Sequence, residues 1–218
     1  MTEEKKDELI RQGNPLTEAR YKFTPTEKNA FLVVVKNVRK NYIEREPPCT
    51  EFENMRVKIT LKDLTLIRDE DHTKEAKKAL RSLRDKVIEM EDEEGNWLYC
   101  GFINQAKYIA KEKVYEVEVS RDLMPYLVEL SRHYTEYSLI VAISLKSIYS
   151  QRFYELCCQY RNLGKFGKTV EQMKQMFYLE GKYTQLYLFK QKVLDVAQRE
   201  LKEAFEARSE ERRVGKEC

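Results

Sequence analysis

The strongest chemical signal in the chain is a set of basic residues at helical spacing: Lys74, Lys77, Lys78, Arg81 and Arg84. At about 100° per residue, a helix from Thr73 to Met90 gathers Ala76, Leu80, Leu83 and Val87 on one face. Lys74, Lys77, Lys78 and Arg81 fall on the opposite face, with Arg84 at its flank. Such a face suits docking in a major groove, with ammonium and guanidinium groups near phosphates and purine edges. The ordinary alternative is a solvated charged face. A second long helix, Tyr183 to about Glu206, carries Lys190 toward its start and exposes Lys192, Arg199 and Lys202. It would bury Leu186, Phe189, Val193, Val196 and Ala197, but Asp195 shares the basic face. That helix is balanced between a DNA contact and plain solvated surface.

Other chemistries find no residues. Gly164-Lys-Phe-Gly-Lys-Thr169 hints at a phosphate-binding loop, but Asn162 stands where the first glycine is required, after a helix rather than a strand. The two histidines, His72 and His133, are far apart, which excludes His-x-His and His-Glu-x-x-His metal sites and a nicking centre built on the former. His72 should start a helix and His133 should lie in a turn. Cys157 and Cys158 read as core and near-core helix residues. Nothing assembles a nucleophile, a base and an oxyanion site. The expectation is a protein with no catalytic residue, no cofactor and no metal.

The elements that must position the basic residues follow from periodicity. Residues 1–13 read as a charged, mobile leader. A helix with Thr26 as N-cap and Glu27 in its first turn runs through Ala30, Phe31, Val34, Val35 and Val38 until Glu46-Pro47-Pro48 breaks it. Met55, Val57 and Ile59 alternate as a strand, and a short helix spans about Lys62 to Arg68. The acidic turn Asp69-Glu70-Asp71 leads to the basic helix. Acidic Glu91–Glu94 marks a wing tip, and strands from Trp97 to Ile103 and Val114 to Val119 follow. Their hairpin could bring Lys107, Lys111 and Lys113 to a neighbouring DNA backbone. Helix, strand, helix, turn, helix, strand, strand is the order of a winged helix-turn-helix, and it places the basic helix where DNA is read. A similar series restarts near Ser147: helices at Tyr149–Leu163, Thr169–Phe177 and from Tyr183, without wing strands. The expected fold is therefore α+β, two tandem winged helix-turn-helix domains (14–145 and 146–207), the second incomplete at its C-terminal wing.

Composition agrees. The chain has 218 residues with net charge +3, and its longest apolar run, Ala30 to Val35, is far short of a membrane span. The N-terminus lacks an apolar signal core, and five cysteines without Cys-x-x-Cys spacing suit reduced thiols in a cytoplasm.

Four separated segments carry a family resemblance: NPLTEARYKFTPTEKNAFLVVV at residues 14–35, Arg121-Asp-Leu-Met-Pro-Tyr-Leu127, Tyr134-Thr-Glu-Tyr137 and Leu145-Lys-Ser-Ile-Tyr-Ser-Gln-Arg-Phe-Tyr-Glu-Leu156. From about residue 14 to 206 the sequence resembles the iteron-binding plasmid replication initiators, Rep proteins of two winged-helix domains. The resemblance implies binding of repeated double-stranded DNA at a plasmid origin and recruitment of the host replication initiator and helicase, without catalysis. It also implies monomers that open the origin and homodimers that repress their own gene. In such proteins the second domain's long helix makes the main iteron contacts. Phe189-Lys190-Gln191-Lys192 matches its aromatic-then-basic start, so the resemblance assigns Lys190 and Lys192 to bases or phosphates. Gln191 stands at a position that is often basic in the family. Lys77, Lys78 and Arg81 would then fix register through phosphates. The rival reading is a winged-helix repressor that binds an operator without an initiator role. An interaction scaffold would leave the basic faces unexplained.

The final segment, Arg208-Ser-Glu-Glu-Arg-Arg-Val-Gly-Lys-Glu-Cys218, resembles the translation of a sequencing-library adapter and offers no face to bury. The expectation is a non-native tail, with a genuine gene continuing past residue 207 by roughly 30–60 residues, enough for two wing strands of typical length and a tail.

Overall fold

Six consecutive apolar residues wind almost twice around a helix, so a helix built on Ala30–Val35 must be covered on every side. In the computed structural model, which describes residues 8–43, 52–67, 73–91, 94–128 and 133–214, that helix is the axis of the first core. It is α2 (Pro25–Ile43), and Phe31, Leu32, Val33, Val34, Val35 and Val38 are all fully buried. Its cap is Thr24, not Thr26. The Glu27 N–H donates to Thr24 Oγ1 at 3.3 Å and the Thr24 N–H to Glu27 Oε2 at 2.8 Å, with Pro25 in the first turn where no N–H is needed. Before it lie α1 (Asn14–Glu18) and the short strand β2 (Arg20–Tyr21).

Around α2 pack β3 (Met55–Ile59), α3 (Leu61–Ile67) and α4 (Thr73–Ser82). The basic helix is shorter than its periodicity implies. It ends at Ser82, a 3-10 turn spans Leu83–Asp85, and Val87 lies on a strand, β4 (Val87–Glu91). Lys86-Val-Ile-Glu-Met-Glu91 also fits a period of two, with Ile88 and Met90 inward, and strand pairing decides between the periods. β4 is the middle strand between β2 and β5 (Trp97–Gly101), antiparallel to both. A second antiparallel sheet, ordered β3-β7-β6, adds β6 (Ile103–Ile109) and β7 (Val114–Val119) as the wing hairpin.

Residues 9–13 are not a leader. β1 (Leu9–Gly13) pairs antiparallel with β8 (Tyr134–Ser138), burying Ile10 and Gln12. Short helices α5 (Met124–Leu127) and α6 (Leu139–Ser144) close this side. The second unit follows: α7 (Ile148–Gln159), α8 (Val170–Met176) with a capping box between Thr169 and Gln172, α9 (Leu186–Phe189), a π-helical turn Lys190–Leu194, and α10 (Asp195–Val214). Among its described residues there is no strand. The α10 backbone runs on through Val214, into the segment expected to be a tail. His72, Asp69–Asp71, Pro47, Pro48, Cys49 and Cys218 lie outside the described residues.

Helix α7 serves both cores. Tyr154 belongs to the first, while Phe153 and Leu156 join Met173, Met176, Phe177, Phe189 and Val193 in the second. Cys157 is exposed and Cys158 half-buried, so only the latter approaches the core role expected of the pair. The same helix sends three polar side chains into the junction. Glu155 pairs with Lys28 at 2.7 Å, both side chains being at most 1% exposed, and accepts from the Tyr137 hydroxyl at 2.7 Å. Arg152 donates from Nη2 to the Ala19 carbonyl at 2.7 Å and stacks its guanidinium 4.1 Å from the Tyr21 ring centroid. Gln151 donates to Asn29 Oδ1 at 2.8 Å. At the rim Glu18 accepts from Lys168 Nζ and Gln159 Nε2, each at 2.6 Å, and from the Tyr160 hydroxyl at 2.8 Å. Burial alone would raise the Glu18 pKa; these donors outweigh it and hold the carboxyl below its ordinary value. Arg20 bridges Glu89 at 3.0 Å and Glu180 at 2.7 Å.

Candidate nucleic-acid interface

In the first unit α3 and α4 form the helix-turn-helix, and α4 is its second helix. Ala76, Ala79 and Leu80 seal against the core, so the helix can present only its other side. Lys74, Lys78 and Arg81 are exposed there, Lys77 is half-exposed, and Arg84 is exposed on the following turn. The structure therefore brings Lys74, Lys77, Lys78 and Arg81 onto one surface. Arg84 is set apart: it leaves the helix with the 3-10 turn and meets Asp85 at 3.4 Å.

Beside this surface stands the wing. Tyr108 and Tyr115 face each other across β6 and β7 with ring centroids 4.9 Å apart. Burial, chiefly, and then Tyr108 push the Tyr115 phenol up, while nearby Arg81 opposes the shift. The aromatic pair thus lies within electrostatic reach of the basic helix, a site feature that the lysine pattern alone does not reveal. Its signal was the alternation in Val114-Tyr-Glu-Val-Glu-Val119. Lys107, Lys111 and Lys113 are exposed on this hairpin, yet Lys107 sits opposite Glu116 in register and Glu112 pairs with Lys58 at 2.6 Å. The wing is therefore more evenly mixed in charge than α4, whose exposed side carries Lys74, Lys77, Lys78 and Arg81 against the one acid Glu75.

In the second unit the π-helical turn controls what faces outward. Phe189, Val193 and Ala197 succeed one another at intervals of four. In an ideal α-helix each such step overshoots the face by about 40°. The wider π turn absorbs that overshoot, and Phe189, Val193 and Ala197 are all buried, at 0%, 0% and 3% exposure. Lys190, Gln191 and Lys192 are consequently exposed together. Leu186 is not buried as its spacing implies; it is 64% exposed, next to Tyr187 at 63%. Val196 is only half-buried. Arg199 is exposed but sits elsewhere: seven residues beyond Lys192, about 10 Å along the axis, it borders a cleft with Glu200, Glu203 and Lys146. The structure groups Lys190 with Lys192 and leaves Arg199 in acidic company.

Among the described residues no helix is long and apolar enough to cross a membrane, and no group of three His, Cys, Asp or Glu is arranged to hold a metal ion.

Residues 9–158 match the family described as Initiator Replication protein, WH1, and residues 169–217 match Initiator Rep protein, WH2. The chain belongs to the initiator replication protein family. Both halves are thereby winged-helix domains of that family, arranged in the α+β order described above. Among solved structures, the chain is similar to the Pi initiator protein crystallised in complex with iteron DNA. The TM-score is 0.63 and the identity 20%, over 92% of this chain and 88% of that one. At this identity the likeness establishes the tandem fold. Within each unit a short helix, α3 or α8, is followed by a lysine-bearing one, α4 or the α9–α10 helix.

Proposed function

We propose that this chain initiates plasmid replication by binding repeated double-stranded DNA at an origin, as a binding protein rather than an enzyme. The observation that carries this reading is the pairing of two initiator-family winged helices in one chain, each exposing lysines from the start of its second helix. The Pi initiator's complex with iteron DNA supports the ligand class. Lys190 and Lys192 serve as the base-reading or phosphate contacts of the second domain. Lys74, Lys77, Lys78 and Arg81 anchor the first domain on phosphates, with Arg84 and Arg199 at the margins of the two surfaces.

Host replication initiator and helicase are the partners this function requires, in a cytoplasmic setting. A homodimer fits the edge of the β2-β4-β5 sheet at β5, which among the described residues pairs only with β4 and exposes Trp97 at 75% and Tyr99 at 59%. Direct repeats beside the gene, bound by the purified chain in fluorescence anisotropy, test the reading. Alanine at Lys190 or Lys192 should cost about 1–3 kcal/mol on the cognate repeat and little on random DNA. Equal losses on both DNAs would reduce them to backbone contacts, and no binding to repeats would remove the function. Loss of plasmid maintenance on deletion separates an initiator from an operator-bound repressor.

A further inference from the structure

The junction between the two domains encloses a positively charged cleft that DNA reading does not require. It has a volume of about 120 Å³, well above the roughly 10–15 Å³ that admits one water, and is walled by Tyr149, Phe177 and Tyr178. Arg152, Lys22 and Lys182 line it, and no carboxylate does.

Arg152 is the decisive group. Its side chain is 2% exposed, yet Nε and Nη1 have no hydrogen-bond acceptor. Only Nη2 is satisfied, by the Ala19 carbonyl. Glu155 stands 3.8 Å from Nη1, beyond hydrogen-bond range, and its carboxylate is already engaged by Lys28 and Tyr137. The buried trio Lys28, Arg152 and Glu155 therefore holds two positive charges against one negative. A buried charge without a partner is costly, and a guanidinium with open N–H groups is a ready oxyanion binder. Exposed Lys22 and Lys182 supply two more cations from opposite domains at the mouth. Three cations, no acid and a small polar-mouthed volume select a multiply charged tetrahedral anion.

We propose that the cleft between the two winged-helix domains is a phosphate-binding site, held by Arg152 with Lys22 and Lys182, whose occupancy fastens the domains together. Lys22 follows β2 in the first domain and Lys182 follows α8 in the second, so a shared anion ties one to the other.

Inorganic phosphate, titrated into the full chain at constant ionic strength against chloride, tests this by thermal melting. The expected result is a saturable rise in melting temperature with phosphate alone. The double variant Lys22→Gln/Lys182→Gln, altered only at exposed positions, should keep its phosphate-free melting temperature and raise the apparent Kd at least tenfold. Lys111→Gln/Lys113→Gln on the wing should leave the Kd unchanged. Repeating the titration with saturating double-stranded DNA distinguishes the source. A free anion still binds in the DNA complex. A DNA backbone phosphate excludes inorganic phosphate, and the double variant then also loses DNA affinity. No saturable rise, or an equal rise in the double variant, overturns the site.

Discussion

Replacing Glu155 by Gln should be among the most damaging single changes in this protein, although it removes no volume. The carboxylate is 1% exposed and faces the Lys28 ammonium at 2.7 Å, the Tyr137 hydroxyl at 2.7 Å and the Arg152 guanidinium at 3.8 Å. An amide keeps one acceptor oxygen but turns N–H groups toward donors and leaves two buried cations with no counter-charge. Breaking a buried pair from one side costs about 3–5 kcal/mol, a large share of a typical total of about 5–15 kcal/mol. At about 2–4 °C per kcal/mol for a chain of this size, melting should fall by about 6–20 °C. Lys28→Met removes one of the two cations instead and leaves one positive charge, Arg152, facing one negative, Glu155, so it should cost less. Urea unfolding in phosphate-free buffer, followed by circular dichroism, measures both. A Glu155→Gln loss below about 1 kcal/mol, the scale of an exposed pair, would refute the reasoning. So would a larger loss for Lys28→Met.

Alanine at Lys77, Lys78 and Arg81 together should flatten the dependence of log K on log salt by about 0.9 for each phosphate no longer neutralised; an unchanged slope with unchanged affinity would remove α4 from the interface. Glu27 is raised by burial but more strongly lowered by hydrogen bonds from Ser82, the Thr24 N–H and Lys86, so its native pKa lies below its ordinary value. A lowered native pKa gives stability that is present above the unfolded value, about 4.3, and is lost as pH falls through the native one. Glu27→Gln should thus be destabilised at neutral pH, with the gap closing in acid; a constant gap in urea midpoints across that window would contradict this. Burial pushes all three thiols up, Cys100 and Cys158 to about 11, but of the three only Cys157 is exposed. Of these three, native protein treated with iodoacetamide at neutral pH should label Cys157 first by mass spectrometry.

The basic face of α4 was legible because helical periodicity is local: Ala76 and Leu80 announce one side and thereby fix the other. β3 was legible for the same reason, through Met55, Val57 and Ile59. β4 was not, because Lys86–Glu91 satisfies both periods and its partners, β2 and β5, lie elsewhere in the chain. β1 was hidden by its charged neighbours, since only pairing with β8 buries Ile10 and Gln12. Periodicity placed Arg199 outward but could not say that Glu200 and Glu203 would share its surroundings. The Lys28–Glu155 pair had no local signature at all. Neither helix carries a local mark of the other, and only the packing of α7 across α2 makes the two residues neighbours.

The π-helical turn at Lys190–Leu194 gives the second domain's long helix two independently aimed halves. Downstream, α10 is keyed by Ala197 and Leu201; upstream, Phe189 is keyed into the second core beneath Lys174, whose ammonium lies 5.8 Å from its ring centroid. Removing one residue between them, Gln191 for example, would restore an unbroken α-helix in which Phe189 stands three residues before Val193, about 300° of turn instead of a full one, so the two halves would rotate against each other by about 60°. Either the anchoring phenylalanine or the downstream seam would then be pulled from its socket. Conversely, the length of this short segment is a dial: inserting or deleting one residue re-points the lysine-bearing tip while leaving the shaft in place. Two chains could thus share the same core and still address different DNA.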